Sequence, residues 1–249
     1  ATSVEDFLDN KLPFAAEKML AYIDERVKFL VEEAAFFNSS FLIKEGFIKK
    51  ELFTGMFGMV GLAEAVNHLL NATEQQDRFG YGDEANALGL KIVEKLNSIV
   101  TSYKAPYVGD AYKNSHVMHC QVGIDTDTGI SPGCRIPVGE EPEIFKHLLQ
   151  SAPYHKYFFN GIGDIFVFED TYKEHPEAIV NVIDGAFKAG IRYISAYSGG
   201  CDVVRVTGYL VKKSEVAQLE SGQAVKNNAT VFGMNAKNGA KAFDRRLRD

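Results

Sequence analysis

The sequence "CDVVRVTGYLVKK" at residues 201–213 has a glycine, Gly208, inside a run that is otherwise typical of a β-strand. The β-branched and aromatic residues of this run favour a pleated, half-buried backbone. A glycine among them loses side-chain packing and costs conformational entropy. The pattern therefore predicts a strand. Gly208 is either the site of a β-bulge or a position whose chemistry requires a residue without a side chain.

The segments before this stretch alternate between helical and extended patterns. Apolar residues at helical spacing predict helices over residues 3–37 (divided by Pro13), at the end of 52–70, over 82–102 and over 175–190. Short apolar runs predict strands at 163–170 and 191–199. This order predicts an α/β protein whose sheet is covered by helices. No linker or repeat divides the chain, so we expect one domain over residues 1–249.

The composition argues against several classes of protein. With 27 basic and 33 acidic residues the net charge is −6, and no basic stripe is present, which argues against binding to nucleic acid or anionic membranes. The odd number of cysteines, three, argues against a disulfide framework and favours a reducing compartment, so we expect a cytoplasmic protein. No apolar run is long enough to span a bilayer, and we expect no signal peptide.

Several segments resemble one enzyme superfamily. The residues "RVTGY" at 205–209 resemble the radical motif near the C-terminus of glycyl radical enzymes. The segment "DTDTGISPGCRIPVGEEPE" at 125–143 is similar to a degenerate form of the family's glycine- and proline-rich loop, with Arg135 in the arginine position. Together with "FFNSSFLIKEGFI", "MFGMVGLAEAVN" and "GAFKAGIRYISA", these motifs most closely resemble the YjjI family. The resemblance covers nearly the whole chain.

This resemblance implies a fold and gives Gly208 a chemical role. The chain would be the C-terminal half of a pyruvate formate-lyase-like α/β barrel, and the N-terminal half with its cysteine loop would be absent. Gly208 would carry a backbone radical, flanked by Arg205, Val206, Thr207 and Tyr209. A Cα radical is delocalised between an amide nitrogen and a carbonyl only if it is planar. A Cβ would crowd that plane, so glycine is the least hindered host.

The resemblance also implies the partners of the reaction. A radical-SAM activating enzyme, with its iron–sulfur cluster and S-adenosylmethionine, would remove a hydrogen atom from Gly208 under anaerobic conditions. The oxygen-sensitive glycyl radical would then generate a thiyl radical on the cysteine of the N-terminal half, and that radical would abstract hydrogen from a small substrate. No cofactor would stay bound to this chain, and the enzyme would be a homodimer. We expect no turnover from this chain alone.

Four residues are candidates for lining the substrate pocket. Cys134 and Arg135 lie in the loop that, by resemblance, is near the substrate. Glu64 can transfer protons if it faces a cavity, and His119 lies in "SHVMHC", whose spacing fits no strong metal signature. We therefore expect no metal site. Each candidate also has a structural interpretation, as an incidental thiol, a satisfied histidine or a solvated charge.

The sequence leaves other candidates open. Asp164 is a further possible acid, and His155 and its neighbouring tyrosines are possible pocket residues or packing residues. The chain is also consistent with a stand-alone subunit that replaces an oxygen-damaged radical domain, or with a non-catalytic protein that carries a chance motif. A fragment similar to an anaerobic ribonucleotide reductase is disfavoured, because the paired CxxC zinc site of those enzymes is missing. Nothing in the sequence selects a substrate.

Overall fold

The structure is a computed structural model that describes residues 1–120, 130–137, 139–198, 202, 204–206 and 209–226. Its α-helices are α1 (Val4–Asp6), α2 (Leu12–Glu32), α3 (Phe36–Ser39), α4 (Phe41–Lys44), α5 (Leu62–Leu69), α6 (Asp83–Ser102), α7 (Ile144–Ser151), α8 (Pro176–Ala189) and α9 (Lys213–Glu220). Its strands are β1 (Met56–Gly58), β2 (Val117–His119), β3 (Ile165–Phe168), β4 (Ser195–Ser198), β5 (Val204–Val206) and β6 (Tyr209–Val211). A π-helical stretch, Phe7–Lys11, joins α1 to α2, and 3₁₀-helices span Lys50–Leu52, Gln75–Asp77, Asp110–Tyr112, Ala152–Tyr157 and Asp170–Lys173.

The chain forms two compact units, the first made of residues 1–58, 90–119 and 157–159 and the second of the remainder. In the first unit β1 and β2 pair in parallel, with Phe57 opposite Met118. Helix α2 buries Ala16, Leu20 and Val27, which are spaced four and seven residues apart on one face. The predicted helix is confirmed, but its apolar spacing identifies the buried face only in part, since Leu20 and Val27 are buried whereas Phe14 and Met19 are exposed.

The second unit contains a strand–helix–strand element. Strands β3 and β4 pair in parallel, with Phe166 opposite Ala196, and α8 lies between them in sequence. The helix has Pro176 in its first turn and ends at Gly190, whose φ of 108° is left-handed. Both boundaries agree with the prediction. Leu148 of α7, Ala152, Phe166 of β3, Ala186 of α8 and Ile191 form the apolar core of this element.

The segment "CDVVRVTGYLVKK" is not one strand. Strands β5 and β6 pair with each other in antiparallel register, and the ladder closes on Val206 opposite Tyr209. Thr207 and Gly208, the two residues between those partners in sequence, lie outside the described residues. The prediction of a continuous strand is wrong, because the same apolar pattern suits both strands of an antiparallel pair.

The strands in the described ranges form three two-stranded sheets, of which two are parallel. The predicted α/β character is confirmed. A closed barrel, or half of one, is not seen in the part of the chain that the structure describes, and the barrel and the single domain stay predictions. Among the helices of the described ranges, none combines the length and the apolar composition that crossing a bilayer requires.

The first testable prediction concerns the buried face of α2. Leu20 is completely buried, whereas its neighbour Met19 is 47% exposed. We expect Leu20→Ala to lower the free energy of unfolding by about 2–5 kcal/mol, because it removes buried apolar surface and leaves a cavity. The matched control Met19→Ala should change it by about 0.5 kcal/mol or less. Chemical denaturation of both variants measures the difference, and equal effects would contradict this account of the core.

Candidate functional site

Two cysteines that are far apart in sequence lie side by side in the second unit. Cys120 follows β2 directly, and its carbonyl accepts a hydrogen bond of 3.2 Å from the N–H of Gly163. Its sulfur accepts a hydrogen bond of 3.4 Å from the N–H of Cys134. Both residues are buried free thiols. The two thiols, which the sequence alone allowed to be incidental, therefore form a pair.

The members of this pair differ in acidity. A hydrogen bond from the Cys134 thiol, and further contributions from the Cys134 N–H and the Arg135 charge, lower the pKa of Cys120 below its usual value. Burial, together with its role as the donor, raises the pKa of Cys134. Cys120 is therefore the thiol of the pair that more readily becomes a thiolate, the reactive form of cysteine.

Close approach of the backbone at Gly133 encloses the Cys120 sulfur. Gly133 has a φ of 57°, and a Cβ on it would overlap the Cys120 sulfur. The Gly133 N–H donates to the carbonyl of Met59 at 2.9 Å. Only a residue without a side chain fits here, both because of the left-handed backbone and because of the neighbouring sulfur.

Glu64 holds the start of the same loop. Its Oε1 accepts hydrogen bonds of 2.9 Å from both the N–H and the hydroxyl of Ser131. The carbonyl of Ser131 accepts a further bond of 2.7 Å from the N–H of Gly61. Glu64 Oε2 is buried without a hydrogen-bond partner among the described residues. Glu64, a predicted pocket residue, therefore has a clear part in positioning the loop.

Arg135 follows the cysteine in this loop and is completely buried. Its Nε lies 3.6 Å from Oδ1 of Asp164, an ion-pair distance that is too long for a good hydrogen bond. In the described ranges, none of its three guanidinium nitrogens has a hydrogen-bond partner. Buried polar groups are normally paired, so this guanidinium is unusual.

Asp164 and His147 form a buried hydrogen-bonded pair beside Arg135. His147 Nε2 lies 2.8 Å from Asp164 Oδ2, and Asp164 Oδ1 accepts a bond of 2.8 Å from the N–H of Ile165. Burial on its own would raise the pKa of Asp164, but His147 and Arg135 hold that pKa below its usual value. Burial would likewise lower the pKa of His147, but Asp164 raises it above the usual value. The pair thus favours a carboxylate facing an imidazolium.

His155 and its neighbour Tyr154 have structural roles. The His155 Nδ1 accepts hydrogen bonds from the N–H groups of Ile162 and Arg192, at 3.3 and 3.2 Å. Burial lowers the pKa of His155 to about 4, which keeps the imidazole neutral and able to accept. The Tyr154 hydroxyl donates to the carbonyl of Asn86 at 3.1 Å. Both residues join segments of the second unit.

The structure brings together only some of the residues predicted from the sequence. Cys134 and Arg135 form one buried cluster with Asp164, and this cluster also contains Cys120 and His147. His147 was missed, because a lone histidine on an amphipathic helix gives no signal in the sequence. His119 ends β2 in the first unit, where burial lowers its pKa.

The radical motif itself can be placed only in part. Val206 ends β5 and Tyr209 begins β6, with Arg205 in the middle of β5. Thr207, Gly208 and Cys201 lie outside the described residues. Within the described ranges, no group of three or more His, Cys, Asp or Glu side chains is arranged to hold a metal ion.

Comparison with known proteins gives one family. The family model "Glycyl radical enzyme YjjI-like" matches residues 1–248. An uncharacterized protein of Haemophilus influenzae is 46% identical over 250 residues, which cover 99% of this chain and 48% of that protein. The uncharacterized protein YjjI of Escherichia coli is 39% identical over 246 residues, which cover 99% and 47% respectively. The chain thus spans about half the length of these relatives. No solved structure gives a significant match.

A double-mutant cycle tests the packing of Gly133 on the Cys120 sulfur. We expect Gly133→Ala to destabilise the protein by more than the roughly 1–2 kcal/mol of a left-handed alanine, because the new methyl group also overlaps the sulfur. Combined with Cys120→Ala, which removes the sulfur but keeps the Cβ, Gly133→Ala should cost markedly less than it does in the wild type. Urea denaturation of the wild type, both single variants and the double variant measures the coupling. Additive effects would show that the two residues do not constrain each other.

The His147–Asp164 pair predicts a pH-dependent stability. The pKa of His147 is raised on folding, so its contribution is fully present below the unfolded pKa of about 6.5 and is lost as pH rises through the folded value. We expect the excess stability of the wild type over His147→Gln to shrink as pH rises above about 6.5. The exposed His175 gives the control variant His175→Gln, for which the difference should vary less. If the excess stability of the wild type over His147→Gln stays constant or grows as pH rises, the charged His147–Asp164 pair is contradicted.

Proposed function

The chain belongs to the YjjI-like family of glycyl radical enzymes, and on that basis we propose that Gly208 carries the radical of an anaerobic hydrogen-atom-abstracting enzyme. The observation that carries the proposal is a family match over residues 1–248 that includes "RVTGY". The match confirms the family resemblance found in the sequence. It favours a YjjI-like enzyme over a fragment of an anaerobic ribonucleotide reductase.

The proposed reaction moves one hydrogen atom at each step. A radical-SAM activating enzyme removes a hydrogen atom from the Gly208 Cα, leaving one unpaired electron there. The glycyl radical takes a hydrogen atom from a cysteine thiol and leaves a thiyl radical. That thiyl radical takes a hydrogen atom from the substrate, and the reverse transfers restore both residues after the substrate radical has reacted. The protein positions the reacting atoms and excludes water and oxygen.

The remaining parts of the proposed enzyme lie outside this chain. Since the relatives are about twice as long, we assign the cysteine loop and the missing barrel strands to their other half. This half is the expected partner, and a homodimer of the whole enzyme is proposed. Cys134, Arg135, His119 and Glu64 stay candidates for the substrate pocket, in a cytoplasmic enzyme whose substrate is unassigned.

The radical assignment has a direct spectroscopic test. The intact protein that contains this chain is incubated anaerobically with its activating enzyme, a reductant and S-adenosylmethionine. We expect an electron paramagnetic resonance doublet, split by the remaining α-hydrogen of Gly208. Admission of air should erase the signal and cut the chain at Gly208, because oxygen adds to the backbone radical. Mass spectrometry then locates the cut.

A matched pair of glycine variants gives the control. Gly208→Ala should lose both the doublet and the cut, because the methyl group hinders a planar centre. Gly185→Ala should retain both, because Gly185 lies in α8 with open space where its Cβ would be. A radical on another residue of the intact protein, or cleavage elsewhere in air, would refute the assignment of Gly208.

A further inference from the structure

From the buried guanidinium of Arg135 we infer an oxyanion-binding site: Arg135 binds the carboxylate or phosphate group of a small ligand beside the Cys120–Cys134 pair. This inference deepens the proposed function, because it gives the unassigned substrate a chemical class. The binding itself can be measured without any radical. The inference rests on hydrogen bonds, distances and charges within the second unit.

Arg135 has hydrogen-bond donors that the described part of the chain leaves unpartnered. A guanidinium has five N–H donors and stays charged in proteins. The side chain is completely buried, and Nε, Nη1 and Nη2 have no hydrogen-bond partner within the described part of the chain. A bound oxyanion is the group that satisfies these donors best, because its two oxygens match the two parallel N–H bonds of the fork.

Asp164 does not supply the missing hydrogen bonds. Its nearest oxygen lies 3.6 Å from Nε, which is too far for a good hydrogen bond, while its two oxygens bond to the N–H of Ile165 and to His147. The negative charge of Asp164 is thus shared between His147 and Arg135. Burial also raises the pKa of Glu141, a carboxyl group that acts electrostatically on His147. Asp164 therefore leaves the hydrogen-bonding capacity of the Arg135 guanidinium unmet.

Arg135 lies in the same loop as one of the two paired thiols. Arg135 follows Cys134 in the chain, and its charge contributes to the lowered pKa of Cys120. The loop is fixed by the Gly133 contact with the Cys120 sulfur and by the bonds from Ser131 to Glu64. An oxyanion on Arg135 would thus be held by a loop that is anchored at Gly133 and Ser131 and that contains one of the two thiols. This arrangement suits an anionic organic substrate whose hydrogen is exchanged with a thiol.

Calorimetric titration of the intact, unactivated protein tests the site. The probes are acetate and inorganic phosphate, each against chloride at matched ionic strength. We expect saturable binding of at least one oxyanion, and the preferred probe decides between a carboxylate and a phosphate ligand. Arg135→Gln should weaken binding by about tenfold or more. The affinity of Arg135→Lys should lie between those of the wild type and Arg135→Gln, because lysine keeps the positive charge but lacks the paired N–H donors of the guanidinium. The control Arg26→Gln, at an exposed position of α2, should bind like the wild type.

A second measurement on the wild type covers the case in which Arg135→Gln fails to fold. A ligand that binds only the folded state stabilises it, so low millimolar concentrations of the preferred oxyanion should raise the melting temperature of the wild type. Chloride at the same ionic strength should not. Absence of saturable binding by both probes, equal binding by Arg135→Gln and Arg26→Gln, or a melting temperature that neither probe raises would overturn the inference.

The two proposals can fail separately. Oxyanion binding in a protein that forms no doublet at Gly208 would refute the radical function and leave the anion site standing. A Gly208 radical in a protein that binds neither probe would refute the anion site and leave the radical function standing.

Discussion

The cluster in the second unit depends on the contact between the backbone of Gly133 and the sulfur of Cys120. The left-handed φ of 57° at Gly133 and the lack of room for a Cβ make this contact possible for glycine alone. It places the N–H of Cys134 on the Cys120 sulfur. Glu64 fixes the loop from the other end through Ser131. The position of Arg135 follows from these contacts, since it is the next residue in the chain.

Charge, rather than apolar packing, defines the chemistry of this cluster. The Asp164 carboxylate is buried between His147 and Arg135, and breaking such a group by removing one partner is strongly destabilising, by about 3–5 kcal/mol. Yet the guanidinium nitrogens of Arg135 have no hydrogen-bond partner in the described ranges. A fold that only needed stability would not bury such donors. Features of this kind are concentrated at functional sites, where the cost is offset elsewhere.

The cluster and the radical motif belong to one family assignment but have different support. The motif is recognised in the sequence, and the structure places its Arg205 and Val206 in β5 and its Tyr209 in β6. The cluster is recognised only in the structure. The chain spans about half the length of its relatives, so the activity of the whole enzyme is a proposal that joins both parts to a segment outside this chain.

The sequence by itself determined what depends on neighbouring residues. Pro176 and Gly190 marked the ends of α8, apolar residues at helical spacing marked α2 as a helix, and "RVTGY" identified the family. The sequence mistook the antiparallel pair β5–β6 for one strand, because the alternation of side chains is the same in one strand and in each of two paired strands.

Only the tertiary structure decided which distant residues meet. Cys120 pairs with Cys134 across 14 residues, and His147 pairs with Asp164 across 17. No local pattern encodes these pairs, because they are formed by the way whole segments pack. The shifted pKa values of Cys120 and His147, and the burial of Arg135, follow from that packing. Local propensity selects the elements, whereas long-range packing selects the chemistry.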